Sequence, residues 1–245
     1  MSVERHAINA RTIDDATWQF AQERLLEQWS PEQISGHAAI SPETVYQRVY
    51  ANKRAGGMLW SGTSSPQAAP DRIERHFHAS QPNLAWVDDM TFVRTRAGWL
   101  YLAILLDLYS RRIVGWAMRD RPNEALTLGA LNIALEHRAP KPGLIHHTDQ
   151  GGIYRSQGYR DRMASVGIFP SMGSKGSVYD NAVAESFFSN LKNELIHHAD
   201  FSSRENARAA IFSYIELFYN RRRIHQMLGY VSPVAFEEAN CEVLN

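Results

Sequence analysis

A single cysteine, Cys241, in 245 residues excludes an internal disulfide and any zinc site built from several cysteines. Charge of a prevailing sign is also missing: 26 Lys plus Arg stand against 26 Asp plus Glu. A nucleic-acid-binding domain commonly carries a basic excess, so a polyanion would have to be met by local patches. Long hydrophobic runs are absent too. The longest near-continuous one, Trp99 to Leu106, is far short of a membrane span, and Met1 to Ala7 lacks a secretory apolar segment. The expectation is a cytoplasmic protein with no membrane partner. No internal repeat is evident. What remains, with 44% hydrophobic residues, suffices for one large globular domain or a small one plus a larger core.

Three acids stand out by their local setting. Asp89 lies in Trp86-Val87-Asp88-Asp89-Met90-Thr91, within an apolar, aromatic-rich stretch that reads as a strand. Asp149 ends the run Leu144-Ile145-His146-His147-Thr148, broken by Gln150-Gly151-Gly152, and so sits where a strand exits into a loop. Glu185 follows 36 positions later (185 − 149), one turn into an amphipathic helix. Two strand carboxylates and one helix carboxylate can converge on a pair of hard cations. Mg²⁺ takes oxygen ligands and keeps waters, so a site that shares its metals with phosphate supplies few carboxylates. Two such ions roughly 3.5 to 4 Å apart serve both the attacking and the leaving oxygen of an in-line displacement.

Periodicity predicts strands at 84–94, 99–108, 112–118, 143–148 and 167–170, and helices at 123–138, 156–166, 181–197 and 203–220. Three early strands joined by tight turns, then alternating helix and strand, make a mixed α/β sheet flanked by helices. The stretch Trp60 to Pro70, rich in Gly, Ser and Pro, reads as a flexible linker. Ahead of it the apolar spacing of Trp18, Ala21, Leu25 and Trp29 predicts a helix. Ser30-Pro31 and Ser41-Pro42 then each cap a further helix, the second presenting Thr44, Gln47, Arg48 and Lys53 outward. Short helix, tight turn and helix is the helix-turn-helix pattern, whose second helix reads the major groove. The organisation is therefore a DNA-binding domain at 1–59, a linker at 60–71 and a catalytic core with C-terminal helices at 72–245.

Residues 72–239 resemble the catalytic half of transposases of the third insertion-sequence family (IS-three), relatives of retroviral integrases. The resemblance rests on Pro82 to Phe92, Gly98 to Ala103, Leu106 to Trp116, His147-Thr148-Asp149-Gln150-Gly151 and Lys175 to Ala182. It continues through Ser186-Phe187-Phe188, Leu191-Lys192, Tyr219-Asn220-Arg221, Arg223, His225, Leu228-Gly229-Tyr230 and Ser232-Pro233. It implies a ribonuclease H-like fold, with the first carboxylate on the central first strand, the second just after the fourth and the third on the helix after the fifth. Adjacent strand residues face opposite ways, so only one of Asp88 and Asp89 can face the metals, and the family's Trp-x-x-Asp-x-Thr pattern selects Asp89. The His-His-Cys-Cys zinc module of retroviral integrases is missing, as is an upstream leucine-heptad segment. The head resembles a different family, the IS-thirty transposases, through Trp29 to Ser35, Ser41 to Tyr46 and Lys53 to Gly57.

The implied function is a DDE transposase. It would cleave transposon-end DNA and join 3′-hydroxyl ends to target DNA, with Asp89, Asp149 and Glu185 holding two Mg²⁺ or Mn²⁺ ions. The alternatives are a catalytically silent DNA-binding regulator and a ribonuclease acting on RNA-DNA hybrids. Lys192, two helical turns past Glu185, is placed to hold phosphate, with a solvated surface lysine as the alternative. Arg221, Arg222, Arg223 and His225 form the densest basic cluster, suited to backbone phosphates or to capping the preceding helix. The partners implied are double-stranded DNA, both transposon ends and target, and further copies of the chain on that DNA. Asp107 reads as a turn or strand-end residue, and Asp180 and Asn181 as helix caps. His146 and His147 are open between a role near Asp149 and a hydrogen-bonded structural one.

Overall fold

The computed structural model describes residues 14–26, 34, 37–40, 69–73, 77–149, 152–173 and 182–241. The backbone divides into two compact units, Met1–Asn52 and Lys53–Asn245. In the first, helix α1 (Asp15–Leu26) is capped by Asp14, whose carboxylate accepts the Thr17 amide at 2.7 Å and the Thr17 hydroxyl at 2.9 Å. Ala21, Ile34 and Ile40 are buried together, with Trp18, Phe20 and Ala38 packed against them. Thr44, Gln47, Arg48 and Lys53 lie outside the described residues, as does most of the expected linker.

The second unit is built on one sheet. Its strands are β1 (Ala85–Thr95), β2 (Gly98–Asp107), β3 (Ile113–Arg119), β4 (Ile145–Thr148) and β5 (Phe169–Met172), in the order β3-β2-β1-β4-β5. The first three form an antiparallel meander, while β4 pairs parallel with β1 and β5 parallel with β4. Strands β4 and β5 start two residues later than the periodicity predicts. The cause is local: Gly143 (φ 109) and Gly167 (φ 71) take left-handed backbone just ahead of them, and the Gly143 amide donates to the Gly167 carbonyl at 2.8 Å.

Side-chain alternation gives the sheet two buried faces. Helices α2 (Glu124–Arg138) and α3 (Gln157–Ser165) cover the face carrying Trp86, Ala103, Leu105 and Val114. Asn123 caps α2 by accepting the Leu126 amide, and Ala139 (φ 40) closes it ahead of Pro140. At Gly115 the helix comes so near that a Cβ would stand 2.3 Å from the Ala130 carbonyl oxygen. The opposite face, carrying Val87, Val93, Leu100, Leu102 and Ile104, is covered by helices α4 (Ala182–Glu194) and α5 (Arg204–Ser213). Central strand β1 is thus buried on both sides.

Helix α5 departs from the single helix expected over 203–220. After Ser213 the chain widens into a π-helical turn, Tyr214–Tyr219, closed by the Asn220 amide on the Ile215 carbonyl at 3.0 Å. The wider turn narrows the arc over which the buried Tyr214, Ile215 and Tyr219 are spread. It also delivers Asn220 into the core. The Asn220 side chain accepts the Ile113 amide at 2.9 Å and donates to the Ile113 carbonyl at 3.0 Å, standing in for a neighbouring strand. A last helix, α6 (Pro233–Cys241), which periodicity did not single out, is tied to the sheet by Glu237. That carboxylate binds Arg138 at 2.8 Å and Arg112 at 2.7 Å. No described helix is long and apolar enough to cross a membrane.

Candidate active site

Asp89 and Asp149 are brought side by side by strand pairing. The parallel register of β1 and β4 ends at Val87 opposite His147, and each aspartate stands two residues further along its own chain. Asp89 is almost fully buried and its Oδ1 accepts the Met90 amide at 2.7 Å. It projects to the face of β1 shared with Val87, Thr91 and Val93, and this is the face on which α4 packs through Ala184, Phe187, Phe188 and Leu191. Glu185 lies in the first turn of that helix, half-buried, and Lys192 follows two turns later on the same helix, also half-buried. The helix owes its place to an apolar stripe that Val183 and Leu195 extend at its ends.

Asp88 projects to the opposite face and is wholly buried there. The Tyr154 hydroxyl donates to its Oδ1 at 2.8 Å and the Tyr159 hydroxyl to its Oδ2 at 2.8 Å. Burial pushes the Asp88 carboxyl above the usual carboxylate range, against the pull of His146 and the two tyrosines. His146 joins this group, with Nε2 at 3.2 Å from the Tyr159 hydroxyl and 3.6 Å from Asp88 Oδ2. His147 points the other way, is buried, and holds the Ser171 hydroxyl through Nδ1 at 2.8 Å. Both histidines are therefore hydrogen-bonded within the core beside β4. Asp107 serves its strand end: it accepts the Asn83 and Tyr109 amides at 2.9 Å each, and Arg138 stands at 3.2 Å.

Three carboxylates are chemically suited to Mg²⁺ or Mn²⁺, hard ions that take oxygen ligands and need only one or two protein carboxylates beside their waters and a phosphate. Asp89, within β1, and Asp149, just past the end of β4, satisfy that donor requirement from neighbouring strands. Glu185 is not gathered in with them: among the described residues no group of three His, Cys, Asp or Glu side chains is close enough to hold a metal ion. The chain leading into α4, residues 174–181 with Asp180 and Asn181, lies outside the described residues.

The basic cluster separates into different roles. Arg221 and Arg222 are exposed. Arg223 is held by Glu194, with Nε 2.9 Å from Oε1. His225 departs from the expected phosphate-binding cation. Burial first, then the neighbouring charges of Arg223 and Arg111, lower its pKa to about 4, so the ring is neutral at physiological pH. It stands edge-on to Tyr219 at 5.0 Å, and its backbone amide donates to the Val231 carbonyl at 3.0 Å. Arg223 and His225 line a cavity of about 580 Å³ on the flank of α4, together with Arg111, Phe187 and Tyr219. Sequence reasoning missed Tyr154 and Tyr159, because nothing in their spacing marks them as neighbours of the acids, and Arg111, which lines this cavity.

A five-stranded mixed sheet in this order, with one acid within β1, one just past β4 and a third on the covering helix, defines a ribonuclease H-like α/β core of the integrase type. Two family models described as "Integrase core domain" match residues 79–178 and 185–240. The transposase for insertion sequence element IS904 of Lactococcus lactis subsp. lactis (strain IL1403) is 46% identical over 171 residues, covering 70% of this chain and 68% of that protein. Transposase InsF for insertion sequence IS3A of Escherichia coli (strain K12) is 46% identical over 168 residues, covering 69% of this chain and 58% of that protein. The fold resembles a chain in the simian T-cell lymphotropic virus intasome, solved with PP2A regulatory subunit B56 gamma. That likeness has a TM-score of 0.54 at 14% identity, over 87% of this chain and 72% of that one. The chain belongs to the IS3 family of DDE transposases, polynucleotidyl transferases that cleave and join DNA.

Proposed function

We propose that this chain cleaves transposon-end DNA and joins the resulting 3′-hydroxyl ends to target DNA, with Asp89, Asp149 and Glu185 holding two divalent cations at the reacting phosphodiester. The reading is supported above all by the β1–β4 register, which sets the two carboxylates on neighbouring parallel segments, each two residues beyond the last registered pair. Magnesium or manganese, once bound, would stabilise charge on both the attacking and the leaving oxygen. The chain's own part is to hold the DNA and aim it. Asp89 is fixed by the two-sided burial of β1, Asp149 by the pairing of β4, and Glu185 by the apolar face of α4. No separate protein base is required, since ligand charge and orientation are what the carboxylates contribute. Lys192 and the exposed Arg221 and Arg222 are suited to backbone phosphates.

The head at 1–59, with Thr44, Gln47, Arg48 and Lys53 on its second predicted helix, would select the double-stranded end, and the linker at 60–71 would join it to the core. The working form is a homo-oligomer on DNA, in the cytoplasm at the nucleoid. The test is a labelled duplex carrying an end of the element that encodes the chain, incubated with Mg²⁺ and target plasmid. Nicking at the end followed by strand transfer is expected from the wild type. Turnover that survives in Asp89→Asn or Asp149→Asn would overturn the ligand assignment.

A further inference from the structure

Asp88 has no place among the metal-holding acids, yet it is a wholly buried carboxylate where an apolar side chain would meet no desolvation cost. Its partners explain its presence. Tyr154 belongs to the 3₁₀ turn Gly152–Arg155, which begins three residues after Asp149, and Tyr159 belongs to α3, which follows that turn. Each gives its one hydroxyl proton to a different Asp88 oxygen, at 2.8 Å. Because the Tyr159 proton is spent on Asp88, the His146 Nε2 at 3.2 Å must donate to the Tyr159 oxygen. One carboxylate thus collects donors from both elements after Asp149, and His146 in the strand before it holds one of those donors, Tyr159. The outer end of the same segment is held separately, where Glu124 Oε1 accepts the Ser156 hydroxyl at 2.8 Å and the Tyr159 amide at 3.0 Å.

The consequence falls on Asp149. On its N-terminal side β4 is fixed to β1 by pairing, and on its C-terminal side the chain is tied back to β1 by Asp88. We propose that Asp88 is a positioning residue, which anchors the turn after Asp149 to the strand that carries Asp89 and so sets the spacing of the two carboxylates. The inference rests on the reading of Asp89 and Asp149 as metal ligands. Groups that orient metal ligands typically change metal affinity or activity by about 10- to 100-fold when removed.

The experiment compares Asp88→Asn, Tyr154→Phe and Asp149→Asn in the full-length chain. Mn²⁺ affinity is read from the electron paramagnetic resonance of the free ion, beside end-duplex nicking over a Mn²⁺ titration and a melting curve. Tyr154→Phe keeps the ring and the packing, so it tests the hydrogen bond even if Asp88→Asn folds poorly. Expected are a Mn²⁺ affinity lowered about 10-fold or more in both Asp88→Asn and Tyr154→Phe, and nicking restored by excess Mn²⁺. Asp149→Asn should stay inactive at every Mn²⁺ concentration. Wild-type Mn²⁺ affinity in Tyr154→Phe, or losses that follow the melting temperature and resist added Mn²⁺, would overturn the positioning role while leaving the ligand reading intact. Turnover in Asp149→Asn would remove both.

Discussion

Asp89 and Asp149 each lie two residues beyond Val87 and His147, the last registered pair of parallel strands β1 and β4. Neutralising either should therefore remove charge from one shared site and leave the fold in place. Asp89→Asn, Asp149→Asn and Glu185→Gln are each expected to lower end cleavage by more than the roughly 10- to 100-fold seen when only a ligand's outer partner is removed. Affinity for end DNA without metal should stay near wild type. Gel-shift and nicking assays on the same preparations check this, and cleavage retained in Glu185→Gln would remove that residue from the ligand set.

The acids were legible in the sequence because each sits in a local pattern: an aromatic-rich strand, an apolar run broken by glycine, the first turn of an amphipathic helix. The alternation of β1 also made Asp88 and Asp89 alternatives, and the packed faces show what each one meets. What lay hidden was long-range. That Tyr154 and Tyr159 close on Asp88 depends on the crossover from β4 to β5, which no local period encodes. The neutral state of His225 depends on burial against Tyr219 and on charges from Arg111 and Arg223, again gathered from distant segments. The π turn after α5 escaped notice because its apolar spacing resembles that of a plain helix until Asn220 is seen inside the core.

Arg221 and Arg222 are exposed, whereas Arg223 is paired with Glu194 at 2.9 Å. Replacing the first two by Ala should weaken binding to unrelated DNA sequences about equally. It should also reduce the slope of log affinity against log salt by up to roughly 0.9 for each phosphate that is no longer neutralised. Arg223→Ala should instead lower stability, by about 0.2 to 1 kcal/mol as partly exposed pairs do, with the salt slope kept. Affinity measured at several salt concentrations, beside a denaturant melt, separates the two. An unchanged slope in the double variant would rule out phosphate binding there.

Asn220 is the test of the π turn. Its side chain satisfies both the amide and the carbonyl of Ile113 in a buried place, so Asn220→Ala leaves two backbone groups unpaired. At about 1 to 3 kcal/mol for each unsatisfied buried group, the loss should be roughly 2 to 6 kcal/mol. Asn220→Asp should be no better, because it keeps an acceptor for the Ile113 amide but sets a carboxylate against the Ile113 carbonyl. Urea denaturation gives both values. A loss below about 1 kcal/mol for Asn220→Ala would mean that water takes over the two bonds.

His225 gives a pH dependence of defined sign. Its folded pKa, about 4, lies below the ordinary histidine value, so between those limits the unfolded chain binds the proton and the folded chain does not. Stability from this group is therefore complete above the ordinary histidine range and is lost progressively as pH falls toward 4. The slope should be less than the roughly 1.4 kcal/mol per pH unit of a fully shielded group, because the ring keeps some exposure to screening solvent. His225→Gln removes the titration while keeping a polar side chain of similar reach. Unfolding free energies of the two proteins, measured from about pH 7 down to about pH 4.5, should diverge in slope, with the wild type falling faster. Parallel curves would show that the ring titrates like an exposed histidine, which would restore it as a cation for DNA phosphate at mildly acidic pH.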